Sequence, residues 1–176
     1  MIFEKFKNKL KSKKGAGAIE FTINMLIFVM LISIGYELIM VGYKYIQVSD
    51  YANDLVRTIS IQGGIQTSAP AGFQGGSSGY ENYNTLIAKK NTFAKSVGVN
   101  PSDVDVTITY KNSSGILTTT NLNSKATIKI DYLDSFEVKV DYTPNLELAQ
   151  NFGAELNGVL RRTKKGLSEY VHNYDV

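Results

Sequence analysis

The strongest hydrophobic pattern in the chain is a nearly uninterrupted apolar run from Phe21 to Tyr43. Glu37 is its only charged residue, and residues 23–34 are apolar on almost every face of a helix. At about 1.5 Å per residue, a helix of this length reaches roughly 34 Å, enough to cross a hydrocarbon core of about 30 Å. The run therefore predicts a membrane-spanning helix.

Amphipathic spacing continues from Tyr43 to Gln62. Apolar residues recur every three to four positions, and polar residues occupy the other faces. The apolar positions are Val48, Tyr51, Ala52, Leu55, Val56 and Ile59. Gly63 and Gly64 end the pattern. We therefore predict one helix over residues 16–62, whose membrane part is about 21–43 and whose outer part is a stalk that packs on the following domain of the same chain.

Residues 63–79 contain six glycines and predict a flexible surface connection. No Gly-Lys-Ser/Thr follows, so this is not a phosphate-binding loop. Ser78-Gly79-Tyr80-Glu81 has the pattern of a capping box, which predicts a helix from there to about Val97.

Alternation with a period of two predicts strands in the rest of the chain. The predicted strands are 104–110, 116–120, 126–132, 136–142 and 158–163, with Lys164-Lys165-Gly166 as a turn. Residues 146–157 are compatible with a short helix or an irregular loop. The predicted fold class is α+β: a long N-terminal transmembrane helix that extends into an amphipathic stalk, then a small extracytoplasmic domain, residues 80–176, with one helix packed on an antiparallel sheet.

Charge is concentrated at the N-terminus. The chain carries +3, but residues 1–14 hold six lysines and one acid, whereas the remaining residues hold 13 basic and 15 acidic groups. The body therefore has no basic excess that would indicate nucleic-acid binding. Lysines precede the apolar run and none follows before Lys44, so the positive-inside rule places the N-terminus in the cytoplasm and residues 80–176 outside.

Composition leaves little for catalysis. The absence of Cys excludes disulfides and thiol nucleophiles, and the one histidine, His172, cannot build a metal cluster. The pairs Asp103/Asp105, on one predicted strand face, and Asp131/Asp134 lack the ligand density of a calcium loop and are interpreted as solvated carboxylates. We expect no catalytic residue, no metal and no cofactor.

A small basic cluster lies near the C-terminus. It consists of Arg161, Arg162, Lys164 and Lys165. We interpret it as a strand edge protected by charge, with contact to an acidic wall polymer or a neighbouring subunit as the alternative.

The junction between leader and apolar run reads Lys13-Lys14-Gly15-Ala16-Gly17-Ala18-Ile19-Glu20-Phe21. A charged group costs about 2.5–3.5 kcal/mol at mid-membrane and less near the edge, so Glu20 needs a partner or water. Cleavage after Gly15 would create an amine on Ala16, which lies on the same helix face as Glu20. A staggered neighbouring helix could also supply its amine. Without cleavage, Glu20 would face water or headgroups. Glu37, near the outer end of the apolar run, could face the headgroups or pair with a neighbouring subunit.

This junction resembles the class III signal of type IV pilins, which is cleaved after Gly and carries Glu at the fifth mature position. The family usually begins its mature chain with Phe, and the Ala-rich start before Glu20-Phe21 is instead similar to the TadE-like branch of tight-adherence pilus proteins. Gly35-Tyr36-Glu37-Leu38 and Gly42-Tyr43-Lys44-Tyr45 add a weaker match. The resemblance covers residues 13–60.

The resemblance implies a non-catalytic pilin or pseudopilin precursor. A prepilin peptidase would cut between Gly15 and Ala16, and Glu20 and Glu37 would act in helix assembly. The expected partners are the peptidase, other pilin subunits, the pilus assembly platform and membrane lipid. The sizeable outer domain favours a minor subunit, since abundant tight-adherence subunits are little more than the helix.

Two other classes remain open. A stationary single-pass protein with an extracytoplasmic binding domain would keep its leader. A secreted enzyme would be cut after Ser33-Ile34-Gly35 and begin at Tyr36, although no group of residues supports catalysis and the apolar run continues past that site.

Overall fold

The computed structural model describes residues 13–71, 73, 75–144 and 158–171, with the backbone only for residues 13–16. It confirms the α+β class, with a long apolar N-terminal helix and a small domain of helices and antiparallel sheets. Residues up to Val41 belong to one unit, and Gly42 begins a second unit that contains this domain.

Helix α1 spans Lys13–Gln62 and ends where the sequence predicted. Gly63 follows in the left-handed region at φ 65°, which glycine adopts without a steric penalty. The Ser60 carbonyl near this end accepts the Glu169 N–H at 2.8 Å, and the Gly63 carbonyl accepts the Ile130 N–H at 2.9 Å. The end of α1 is thus tied to two later segments of the chain.

The stalk part of α1 packs on the domain of its own chain, as predicted. Its stripe residues join one core with the sheet and a second helix. The buried stripe residues are Val48, Tyr51, Ala52, Leu55 and Ile59. The Tyr51 ring stacks on Phe93 with centroids 4.6 Å apart and planes 7° apart. Burial of this stripe, rather than helix propensity, holds the stalk in place.

The second long helix begins later than predicted. After the one-turn helix α2, Gly76–Gly79, the chain is extended at Tyr80, and α3 spans Tyr83–Ser96. Asn82 is the N-cap, and its Oδ1 accepts the Thr85 N–H at 3.1 Å. The predicted capping box at 78–81 was therefore wrong, because Asn82 is an equally good cap closer to the apolar positions. The apolar residues Tyr83, Leu86, Phe93 and Ala94 form the buried face of α3.

The main sheet has four antiparallel strands, which are β2 Val104–Lys111, β3 Leu117–Asn121, β5 Ser135–Tyr142 and β6 Leu160–Leu167. Their order in the sheet is β3-β2-β5-β6. One face carries the buried alternating residues of β2 and β5, which pair directly, for example Val106 with Val140. The opposite face is polar.

Strand β6 includes the residues that the sequence analysis assigned to a turn. It pairs with β5 as far as Leu167 opposite Ser135, so the turn predicted at 164–166 was wrong. At Gly166 a Cβ atom would lie 2.5 Å from Phe136 Cζ and 2.8 Å from Val56 Cγ1. Glycine is needed here for close packing against α1, not for a turn.

A second, two-stranded sheet joins β1, Gly64–Ile65, to β4, Ile128–Lys129. β1 lies within the segment predicted as a surface connection, and Ile65 is fully buried. The strand predicted over 126–132 is reduced to β4. The predictions for 146–157 and His172 lie outside the described residues.

Candidate functional site

The junction motif lies in the first turns of α1. Gly15 and Ala16 are helical, and Glu20 follows Ala16 by one turn, so the backbone places residues 16 and 20 on the same face. Gly15 and Gly17 lie on either side of Ala16, next to the Gly15–Ala16 peptide bond. Each glycine weakens a helix by about 1 kcal/mol relative to alanine. A peptide bond must leave the helix before a peptidase can cut it, and two glycines within three residues make this opening easier.

The two acids of the apolar run differ in their surroundings. Glu20 is exposed, whereas Glu37 is half-buried. They are about 25 Å apart along the helix and about 100° apart around it, from the 1.5 Å rise and 3.6 residues per turn. Glu20 and Glu37 therefore do not face the same side of a neighbouring helix.

The first part of α1 presents a large apolar surface. By length and composition it could cross a membrane, and its most apolar window is not buried at all. Large side chains are exposed all round residues 17–29, including Phe21, Ile23, Leu26, Ile27 and Phe28. Further along, Leu31, Ile32, Leu38 and Ile39 are exposed, whereas one face is half-buried and consists of Met30, Ser33, Ile34, Glu37, Met40 and Val41. Apolar exposure on every side of a helix is typical of a segment that needs lipid or other helices as its surroundings.

The Thr22 and Ser33 hydroxyl groups in this part of α1 are satisfied within the helix. Thr22 Oγ1 donates to the Ala18 carbonyl at 2.8 Å, and Ser33 Oγ donates to the Val29 carbonyl at 2.9 Å. Because of these bonds to the preceding turn, neither the Thr22 nor the Ser33 hydroxyl requires water. They suit a helix in an apolar environment.

The C-terminal basic cluster lies on the edge strand β6, in agreement with the interpretation from sequence. Arg161 forms two hydrogen bonds to the Asp141 carboxylate, at 2.9 and 3.1 Å, and Lys139 Nζ lies 2.8 Å from it. Burial alone would raise the pKa of Asp141, but the hydrogen bonds from Arg161 and Lys139 outweigh it and hold that pKa below its usual value.

Arg162 faces the helix instead. Its Nη1 donates to the Tyr45 hydroxyl at 2.5 Å, its Nε donates to Ser49 Oγ at 3.3 Å, and its guanidinium carbon is 5.1 Å from the Tyr45 ring centroid. This cation–π contact ties the start of β6 to α1 just beyond the apolar run.

Sequence reasoning missed Lys90, which is only 4% exposed. Its Nζ donates to Asn123 Oδ1 at 2.9 Å. Burial lowers the pKa of Lys90, and the nearby Asp105 carboxylate opposes that shift. The signal was its spacing, since position 90 continues the buried face of α3 four residues after Leu86. The contact anchors the 3₁₀ turn that contains Asn123.

The carboxylates of the two predicted pairs lie in turns and on β2. Asp103 ends a 3₁₀ turn before β2, so it does not share a strand face with Asp105 as predicted, and Asp105 accepts a hydrogen bond from Asn121. The Asp134 N–H donates to the Asp131 carbonyl across a turn at 3.0 Å. Across the described parts of the chain, no three acidic, histidine or cysteine side chains are grouped to hold a metal ion.

Comparisons with protein-family models, curated proteins and solved structures gave no match. The chain's own residues therefore carry the functional proposal.

Proposed function

We propose that this chain is a non-catalytic TadE-like pilin or pseudopilin precursor. It is cleaved between Gly15 and Ala16 and then assembled into, or associated with, a tight-adherence pilus or a related secretion or conjugation apparatus. The observation that supports this most strongly is the exposed apolar part of α1, which lies outside the buried core of the described residues. That core takes its first residue from α1 only at Val48.

The energetics explain why this part of α1 needs another environment. Full burial of a Leu, Ile or Phe side chain stabilises by about 1.5–3 kcal/mol relative to exposure. Phe21, Leu26 and Leu31 are each more than 60% exposed. A run of such residues stays out of water when lipid surrounds it first and neighbouring pilin helices surround it later.

In this proposal, the positive charge of the basic leader keeps the N-terminus in the cytoplasm. Moving a lysine into the bilayer centre costs about 2.5–3.5 kcal/mol, so six lysines hold the N-terminus on the cytoplasmic side. Cleavage after Gly15 removes them and leaves one amine on Ala16. Pairing of that amine with Glu20, of the same or a neighbouring subunit, neutralises both charges and lets the helix leave the bilayer for a filament.

The size of the outer domain favours a minor subunit. The strands, α3 and the stalk of α1 form a folded unit beyond the apolar run, which gives the subunit a surface of its own at a filament tip or base. The localisation that follows is the cytoplasmic membrane, with the N-terminus inside and the domain outside, and the cell surface after assembly.

The processing step is tested by co-expression of the full chain with a prepilin peptidase. We expect Gly15→Leu to block the loss of the leader, seen as a band shift of the membrane-bound chain. Gly17→Leu makes the same change two residues further along the chain, beyond the cleavage site. This control variant should still be shortened. Normal shortening of Gly15→Leu would contradict the proposal, and a wild-type chain that keeps its leader would favour a stationary anchor.

The assembly step is tested with Glu20→Gln. We expect this variant to be shortened normally but to be lost from filaments sheared off the cell, because the Ala16 amine has no anionic partner. Glu81→Gln, a carboxylate change on the outer domain, is the matched control. Equal amounts of Glu20→Gln and wild type in sheared filaments would contradict the role of Glu20.

A further inference from the structure

One side of α1 is shielded along the outer half of the apolar run. Six half-buried side chains there lie within about 120° of one another around the helix. We call them the shielded face, which consists of Met30, Ser33, Ile34, Glu37, Met40 and Val41. Helix spacing places this face in line with Val48 and Leu55 of the buried stripe. The shielded face therefore continues the stripe toward the N-terminus.

A bare helix does not explain this shielding. Leu26 lies on the same side of α1 as Met30, about one turn nearer the N-terminus, and is 66% exposed. Another group therefore covers the shielded face, and it belongs to the same chain, because these exposures are those of one chain alone. The contact of Arg162 with Tyr45 lies about 22 Å along the helix axis from Met30, too far to provide the cover.

The connection between β5 and β6 is close enough to provide it. Residues 145–157 lie outside the described residues and join the end of β5 to the start of β6. These two strand ends are neighbours, because Tyr142 pairs with Leu160. Pro144, the last described residue before the connection, is buried. The connection therefore leaves the domain and returns to it at one place.

This place is level with the outer end of the apolar run. Gly166 packs against Val56, so at about 3.3 Å per strand residue and 1.5 Å per helix residue Leu160 is level with about Tyr43. Residues 143–159 have the length for a helix of about twelve residues, roughly 18 Å, and about five extended residues for the return. Their reach of about 17 Å brings side chains over the far end of the shielded face, about 20 Å away.

The sequence of the connection has the pattern of an amphipathic helix. Apolar residues recur every three to four positions on one side. They are Leu146, Ala149, Phe152 and Leu156. The opposite side is mostly polar and carries Glu147, Leu148, Asn151 and Glu155. Such a helix is stable only when its apolar side packs on another surface, and the shielded face is the nearest one.

We infer that residues 145–157 form a short amphipathic helix whose apolar side lies on the shielded face of α1. We call these residues the covering segment. The inference goes beyond the proposed function and does not depend on removal of the leader. It assigns Glu37 to the fold of its own subunit, so Glu20 is the acid left for a neighbouring subunit. The exposed sides of α1, which carry Leu31 and Leu38, are left for helix assembly.

The covering segment also limits how far hydrocarbon can extend along α1. Its Glu147 and Glu155 need headgroups or water, since a charge inside the bilayer is costly. From Lys14 to Ser33 the helix has 20 residues and a length of about 30 Å, which still spans a hydrocarbon core. Under the proposed membrane insertion, the membrane part of α1 therefore shifts from about 21–43 to about 14–33.

The test uses the full chain, which has no native cysteine. Phe152→Cys is combined with Ile34→Cys on the shielded face or, as the matched control, with Ile32→Cys about 160° away around α1. A short bis-maleimide is added to the detergent-solubilised chain, and intact mass measures the monomer that carries one linker and no free thiol. We expect at least about fivefold more of this product for the Ile34 pair, because packed helices lie about 8–10 Å apart and the control cysteine is on the far side.

A second measurement does not depend on the register between the two helices. Chains with Ile34→Cys or Ile32→Cys alone are labelled with N-ethylmaleimide, and the Ile34→Cys chain should react several times more slowly. Replacement of Leu146, Phe152 and Leu156 by Ser in both chains should remove the difference. Near-ultraviolet circular dichroism checks that the domain of these variants remains folded.

Three outcomes would overturn the inference. Equal linkage of the Ile34 and Ile32 pairs would mean that the covering segment has no fixed place on α1. Linkage of the Ile34 pair mainly between chains would assign the shielded face to a second copy. Equal labelling of the two single-cysteine chains would leave this face to lipid or detergent. The uncleaved chain is used throughout, so a failure of processing after Gly15 would refute the proposed function without affecting this test.

Discussion

We assign two roles to α1, packing in the core of the domain and assembly through its apolar run. One leucine in each part allows the two roles to be tested separately. Leu55 is 1% exposed in the core between α1 and the sheet, whereas Leu31 is 62% exposed in the apolar run. The same substitution, Leu→Ala, can be made at both. Leucine and alanine have similar helix propensities, so the backbone contribution is small and nearly equal at the two sites.

The expected magnitudes differ because only Leu55 would leave a cavity. Leu→Ala in a packed core costs about 2–5 kcal/mol, and we expect about 3 kcal/mol for Leu55. With roughly 2–4 °C per kcal/mol for a protein of this size, the melting temperature should fall by about 10 °C. Leu31→Ala should change the free energy of unfolding of the domain by less than about 0.5 kcal/mol.

The assay is thermal unfolding of the full chain in detergent, followed by near-ultraviolet circular dichroism. The chain has eleven tyrosines and no tryptophan, and buried Tyr51, Tyr83 and Tyr142 report on the packed core. A similar loss of melting temperature for both variants would refute the division of α1 into an assembly part and a core part. So would an unchanged melting temperature for Leu55→Ala.

Two further predictions concern the domain. Gly64 and Gly98 both have positive φ, 130° and 76°, but of the two only Gly64 has no room for a Cβ, which would overlap the Ile128 carbonyl oxygen. Gly98→Ala should therefore lower the free energy of unfolding in urea by about 1–2 kcal/mol, and Gly64→Ala should lower it much more. Burial raises the pKa of Tyr80 to about 12, against a hydrogen bond from the Gln66 N–H that lowers it. Its contribution to stability should be complete below about pH 10 and lost between about pH 10 and 12, and Tyr80→Phe should flatten that loss in urea unfolding at each pH.

Periodic patterns predicted most of the architecture. The stripe of α1 and the alternation in β2 and β5 record directly which face is buried, so local sequence was sufficient for those elements. The apolar run from Phe21 to Tyr43 was equally clear from sequence, because a stretch of this length with one charged residue is evident from composition alone. The junction from Gly15 to Glu20 was found from residue types alone, and the structure adds only that it is helical.

Elements that depend on tertiary contacts were not predicted. Gly166 has the local signature of a turn, and only the close approach of Phe136 and Val56 explains why it continues β6. Lysine normally lies on the solvated face of a helix. The hydrogen-bond acceptor of Lys90, Asn123 Oδ1, comes from a turn that is distant in the sequence. The N-cap moved to Asn82 because several residues nearby could cap a helix, and the packing of α3 selected one of them.

The most direct test of the central claim is the intact mass of the native chain extracted from the membranes of the cells that make it. The proposal predicts a species that begins at Ala16 and has lost all six lysines of the leader. A membrane-bound chain that retains Lys5–Lys14 would contradict it, and so would a soluble chain that begins at Tyr36.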